Sequence, residues 1–359
     1  MRGGSDATDC GHGNVAIGIS SGASNDFAVA IGFLAKAGGV NSAAYGAHAN
    51  AVGAGSIAAG NFATAKGLIS VAIGPNTTAA DGAVALGNEA TASANNTIAM
   101  GQLSTASGIR SFAAGTGANS AGNDSIAIGT KASTFDLTKK AGVDSAVAIG
   151  NSAIAQANNS TAVGTRANAD GDRSSAYGFN ALAKDAGSAY GTGAHAFGLN
   201  GSAFGTLASA TGENATAVGF GTKAGGAGAL AIGAEAQAPQ DGALAIGHKA
   251  MSTGNSTIAI GANTIATNSV AVGKAAMASN GGAAYGDYAA ATGTLATALG
   301  PNASTTAANA VAIGSGSLAN EDNSVSMGAP GNARRITTSP RGALRATPRR
   351  SAKLPTCGH

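Results

Sequence analysis

A glycine that returns every fourteen residues limits this chain more than any other feature of its sequence. It closes a short apolar segment at 23 positions from Gly18 to Gly328. Of the 22 intervals between them, 17 are 14 residues long, and the others are 13, 21, 13, 12 and 13. A period held over more than three hundred residues marks a solenoid, in which each unit touches only its neighbours. The length of 359 residues would otherwise suggest two or three globular domains.

The segment at 70–83, SVAIGPNTTAADGA, is typical of a unit. Two residues before each recurrent glycine stands alanine, from Ala16 to Ala312, with Ser326 the one exception. The residue directly before the glycine is apolar in every copy, as at Ile17, Tyr45, Leu86 and Met100. Three before it come mostly Val, Ile, Leu, Phe or Thr, as at Val71, Phe112 and Leu230. A short strand enriched in β-branched residues fits this pattern. Its bulky pair and its alanine point to opposite faces, and neither face is polar, so both are expected to be covered.

A second small position follows five residues after the glycine, as at Ala65, Ala79 and Ala106; three after it, Ala, Ser or Thr predominates (Ala63, Thr77, Ala132). A turn rich in Gly, Asn or Asp comes next (Asp81-Gly82, Asp170-Gly171), where glycine supplies positive φ. One unit therefore reads strand, turn, strand, turn. Stacked units form two long parallel sheets, set close together because the facing residues are small. Alanine favours helices, but the 57 glycines among 359 residues cost a helix about 1 kcal/mol each in its interior. The helical alternative fails.

Aromatic residues make up 4% of the chain, and alanine and glycine bury little area each. A roll this thin is marginal alone, so the apolar face is expected to close against other chains in an obligate oligomer. The net charge of +3 is a property of the C-terminus, since residues 1–333 hold 13 basic against 17 acidic side chains. A mildly acidic body excludes nucleic acid as its partner.

Cys10 and Cys357 each open a Cys-Gly-His triplet. Coils stacked at about 4.8 Å put the two triplets on the order of 100 Å apart, which rules out a shared metal or disulfide within one chain. The five histidines show no ligand spacing, and glycine pairs such as Gly115 and Gly117 do not precede a helix as a dinucleotide loop would. No catalytic constellation, cofactor site or metal site is expected. Met1 is not followed by the basic-then-apolar pattern of a signal peptide, and no apolar run is long enough for a transmembrane helix.

Along the chain, residues 1–13 read as an unpatterned leader and 14–328 as the array. Residues 329–337 differ from the repeats, and 338–359 form a basic tail expected to be disordered. The interval of 21 residues between Gly129 and Gly150 holds an insertion around 134–140. Insertions in solenoids become loops on one edge, often the binding edge, which makes Phe135, Asp136, Lys139 and Lys140 the candidate contact residues. From Tyr177 through Tyr190 to Phe204 the strand slots turn aromatic, with an apparent extra half-unit at Phe197-Gly198. Large rings there are expected to fill a locally wider core, as are Tyr45 and Tyr285 in the same slot.

The units Asn14-Val-Ala-Ile-Gly18, Ser70-Val-Ala-Ile-Gly74 and Ala310-Val-Ala-Ile-Gly314 resemble the head repeats of trimeric autotransporter adhesins, the YadA-like family of Gram-negative bacteria. The resemblance extends over 14–328, and residues 321–337 look like a last repeat entering the family's neck. It implies an all-β fold, a left-handed parallel β-roll with three chains packed about one axis. It further implies a non-enzymatic adhesin at the outer membrane, with its head outside the cell. The implied partners are two sister chains in a homotrimer, and extracellular-matrix proteins (collagen, fibronectin, laminin) or cell-surface receptors. The family's membrane contact runs through a C-terminal anchor, which these residues do not include. The alternative function is that of a rigid spacer in a larger surface protein. An ice-binding solenoid would need a regular exposed threonine ladder, and threonine at the turn slots is irregular.

Overall fold

The computed structural model describes residues 2–3, 8–136 and 138–336. The basic tail at 338–359, with Cys357, lies outside the described residues. Every described element is a strand. The fold is an all-β parallel solenoid. Three-residue strands such as Val71–Ile73 form one 24-stranded sheet, and two-residue strands such as Thr78–Ala79 form the other.

Register follows directly from the period. Val71, Ala72 and Ile73 pair with Ile57, Ala58 and Ala59 on one side and with Val84, Ala85 and Leu86 on the other. Like therefore stacks on like, coil after coil. Pairing begins ahead of the first recurrent glycine: Arg2 and Gly3 pair with Ala16 and Ile17, and Thr8 and Asp9 with Gly22 and Ala23. The corners bond from coil to coil as well, as in Ile69 N–H to Ala54 O at 2.9 Å and Gly74 N–H to Ala59 O at 2.8 Å. Backbone polar groups are thus satisfied around the whole circuit, which lets so small an apolar core suffice.

That core is almost wholly alanine. Ala72, Ala79, Ala99 and Ala106 are fully buried, and among the described core residues only Val143 is larger than alanine within the apolar set. At many of the interior slots taken by serine or threonine, the hydroxyl donates to a turn carbonyl three residues back, while those of Ser111, Ser174 and Thr257 have no partner among the described residues. Thr77 Oγ1 reaches Gly74 O at 2.9 Å, and Ser70 Oγ reaches Gly67 O at 2.7 Å. A local bond of this kind removes the cost of burying the hydroxyl.

The recurrent glycine is required twice over. At Gly101 φ is +122°, and a Cβ built there would sit 2.7 Å from the carbonyl of Gly115 in the next coil. The glycines form a column in which backbone lies on backbone. Two residues further on, the corner again takes positive φ, yet there the residue varies: Leu34 (55°), Phe62 (57°) and Asn76 (56°) all adopt it.

The structure corrects the expectation for the aromatic residues. Tyr45, Tyr190, Phe204 and Tyr285 are between 38% and 43% exposed, and Tyr177 is half-buried. They stand on the outer face, while Ala176, Ala189 and Ala203 between them fill the interior as everywhere else. Strand alternation decides this, because a ring one residue before the glycine must point opposite to the alanine. No half-unit is added at Phe197 either. His195–Ala196 is the ordinary second strand of its coil, and Phe197 begins the turn after it.

The outer faces differ by sheet. Residues flanking the alanine of the longer strand leave an apolar surface that is half-exposed in the single chain, as at Val71 and Ile73. In the N-terminal coils the shorter strands turn Lys36, Asn50, Thr64 and Thr78 outward, a polar face suited to water, whereas Ile154, Leu182, Met251 and Ile265 take that position further along.

Candidate functional site

The insertion folds as a small hairpin. Ser133–Asp136 continues the second sheet and then pairs antiparallel with Ala141–Gly142, through Phe135 opposite Gly142 and Asp136 opposite Ala141. The rungs on either side close over it undisturbed, since Ile126 still pairs with Val147 and Ser133 with Ile154. The hairpin therefore leaves the solenoid at one corner without altering its register.

The four expected contact residues do not share one environment. Phe135 is half-buried, Asp136 is 6% exposed, and Lys139 and Lys140 are exposed. Asp136 builds the turn: its Oδ1 accepts from Thr138 N–H at 2.8 Å and from Lys139 N–H at 2.9 Å. The Lys139 Nζ lies 3.3 Å from its other oxygen. The Lys139 amide bond is the main cause that holds this carboxyl below the usual carboxylate range, against a smaller opposing effect of burial. Asp136 is thus a turn-former, and the two lysines carry the surface charge.

Beside the hairpin lies an open cleft of about 420 Å³ lined by Asp136, Lys139, Asn158, Asp170, Asp172 and Asp185. Its carboxylates are partly answered by cations, with Lys184 3.9 Å from Asp170 and Arg173 3.3 Å from Asp172. The arrangement can hydrogen-bond a polar or basic group. Among the described residues, no three His, Cys, Asp or Glu side chains stand close enough to hold a metal ion.

A second surface escaped the sequence reading. At the corner after the recurrent glycine in the N-terminal coils, His48 stacks on Phe62 with ring centroids 4.5 Å apart and meets Phe33 edge-on at 5.4 Å. Leu34, Lys36 and Thr64 complete a cleft of about 260 Å³ around them. The opposite corner of the same coils exposes Phe27, Leu68 and Ile69. Exposed apolar patches on a water-facing corner mark contact surfaces. The signal was present as a drift of these two corner slots from Asn, Thr and Gly toward Phe and Leu, legible only once the slots were known to stack.

Polar corners elsewhere are tied from coil to coil. Asp81 Oδ1 accepts from Leu68 N–H at 3.0 Å, and Asp241 Oδ1 accepts from Ala227 N–H at 2.8 Å. Arg110 grips Asp124 through two bonds of 2.6 Å, the first cause of a lowered Asp124 pKa.

The family model of the YadA head domain repeat (2 copies) matches residues 15–35, 23–49, 51–77, 79–104, 106–132, 144–167, 155–181, 210–236, 224–250, 238–264, 291–317 and 308–329. Together these matches span well over half of the chain. No curated protein matches it.

Proposed function

The chain belongs to the YadA head-repeat family, and on that premise we propose that it is the head of a trimeric adhesin on a Gram-negative cell surface. The repeats are those of an adhesin-type surface protein. Its ligands are extracellular-matrix proteins such as collagen, fibronectin or laminin, or receptors on other cells. Binding is non-catalytic and multivalent. Three rods side by side repeat the same corner geometry at each coil, so individually weak contacts gain from effective concentration. Phe135, Lys139 and Lys140 on the hairpin, held by Asp136, and the Phe33–His48–Phe62 corner are the surfaces assigned to contact.

The observation that carries this reading is the match of head repeats along the array. Surface-plasmon measurements of the purified protein on immobilised matrix proteins and on whole cells test it. Saturable binding whose dissociation slows as ligand density rises is the expected result. Absence of a saturable signal on every surface overturns it.

A spacer role has its own support in the main-chain bonding that continues unbroken through the corners. Deleting four central coils separates the two. A spacer loses reach alone, whereas an adhesive head loses avidity with every contact removed.

A further inference from the structure

Positive charge and apolar exposure come together in the N-terminal coils. Residues 27–80 contain no Asp or Glu, the longest such stretch in the chain, and they hold Lys36 and Lys66. Lys36 opens one of the shorter strands and Lys66 follows another, both exposed and on the same outer face. Each of these strands runs from one corner of the coil to the other. Phe33, Leu34 and Phe62 stand at the corner before it, and Phe27, Leu68 and Ile69 at the corner after it. The second group is between 59% and 75% exposed. A cationic strip is thus bordered on both sides by apolar ridges. Residues 242–286 provide the contrast. They too lack Asp and Glu and hold two lysines, Lys249 and Lys274, but their corners carry His248, Asn255, Asn263 and Asn268. Lys249 is moreover answered by Glu235 at 3.8 Å.

The chemistry of the strip narrows what can cover it. A second copy meeting it through the same surface would set lysine against lysine, and like charges in opposition are unfavourable. A neutral sugar stacks on the faces of aromatic rings, but here His48 and Phe62 are parallel with centroids 4.5 Å apart, and Phe33 meets His48 edge-on. Those rings cover one another along the rod and turn their edges outward. Leu34, Leu68 and Ile69 offer no hydrogen bond at all. What remains is a surface that is anionic outermost and apolar beneath, and continuous enough to receive two ridges on either side of a charged strip. A bilayer with acidic headgroups is layered in that way. The lack of carboxylates fits the same partner, because an acid would be repelled by the headgroups and costly in the hydrocarbon below.

We propose that residues 27–80 dock on the surface of an anionic lipid bilayer, with the rod lying along the membrane on the outer face of its shorter strands. Phe27, Leu68 and Ile69 on one side and Phe33, Leu34 and Phe62 on the other enter the boundary between headgroups and acyl chains. Lys36 and Lys66 lie between the ridges at headgroup level, their stems along the apolar surface and their ammonium groups on the lipid phosphates and carboxylates. Asn50 and Thr64 share that strip and hydrogen-bond in the same polar layer. The contact is shallow and reversible, since two lysines and six side chains fall far short of a spanning segment. It requires neither three chains nor a protein ligand, so it stands apart from the matrix-protein reading above.

Co-sedimentation of the full chain with vesicles tests this, using phosphatidylcholine alone and equal parts phosphatidylcholine and phosphatidylserine. Binding should be at least roughly tenfold tighter to the mixed vesicles. Lys36→Ser with Lys66→Ser should weaken it by roughly tenfold, and Leu68→Ser with Ile69→Ser by roughly tenfold or more. Lys249→Ser with Lys274→Ser makes the same change in net charge many coils away and should leave binding within about twofold. The chain has no Trp, so Leu68→Trp supplies a reporter at the ridge. Its emission should move to shorter wavelength with mixed vesicles, whereas Phe220→Trp, at a comparably exposed corner of a distant coil, should not respond. Equal binding to both vesicle types, no binding to either, or equal loss in the two lysine pairs overturns the proposal. So does a Leu68→Trp emission that vesicles leave unchanged. Binding to an immobilised matrix protein that the Leu68→Ser, Ile69→Ser variant abolishes, without vesicle binding, would make this a protein contact and overturn the proposal while the adhesive reading stands.

Discussion

The two sheets of this solenoid share an interior and differ in what they turn outward. The longer strands expose an uncharged, mainly apolar strip from Val15–Ile17 to Val311–Ile313, interrupted by Ser175, Ser188 and Ser202. The shorter strands expose Asn50, Thr64, Thr78, Thr91 and Thr105 in an unbroken line. The alternation of strand residues is the same in both, so the contrast comes from sequence alone. It teaches that a two-residue strand with a polar outer side and a three-residue strand with an apolar one can be built on one alanine core.

The contrast can be broken most severely from within. Replacing Ala99 by Leu forces three extra carbons between sheets that alanine holds together, and overpacking of this kind costs about 3 kcal/mol. Chemical denaturation should show that loss, while Ile98→Ala on the same strand leaves the monomer fold intact and weakens only assembly. Next in size is a charge on the outer face of the longer strands. Ile73→Lys should leave the circular-dichroism spectrum of a β protein unchanged and shift the mass toward single chains, as burial of an isoleucine is worth about 1.5–3 kcal/mol per protomer. On the outer face of the shorter strands the same charge should matter little. Thr78→Lys is expected to change stability by no more than about 0.5 kcal/mol; a loss as large as that of Ile73→Lys would reverse the assignment of the faces.

The smallest effect concerns the hairpin. Its Asp136 carboxyl is held low chiefly by the Lys139 amide, so the ionised form favours the folded turn. That contribution is complete above the ordinary aspartate value of about 3.9 and is lost as pH falls through the lower folded value. Hydrogen exchange at the Thr138 and Lys139 amides should therefore quicken, relative to the coils, below about pH 4. Asp136→Asn should remove that pH dependence.

Much of this was legible because the period assigned every residue to a slot. The strands, the alanine interior and the closing glycine could be read from spacing at Gly74 as well as at Gly300. The aromatic slots could not. Large rings usually pack inside, whereas strand alternation places Tyr177 and its neighbours outside, opposite the buried alanine. The corners were only half legible. Positive φ is marked by Asn or Gly at many corners, as at Asn76 and Gly82, but at Phe62 and Ile69 hydrogen bonding from the adjacent coils imposes it on side chains that give no such sign. At the insertion, the length showed that a loop must form. It did not show that Asp136 would be spent on the turn rather than on a ligand.

After the last rung, Val325–Ser326, the main chain doubles back through Gly328–Ala329 and Asn332–Ala333. Arg334 then donates to Ser317 Oγ at 2.8 Å and to the Ser315 carbonyl, its guanidinium lying against Gly314. A ladder of parallel strands ends in unsatisfied main-chain groups that can template another molecule. Here the exit route lays a charged, planar group across that end. A further coil stacking on that end would first have to displace Arg334 from Ser317 and Ser315.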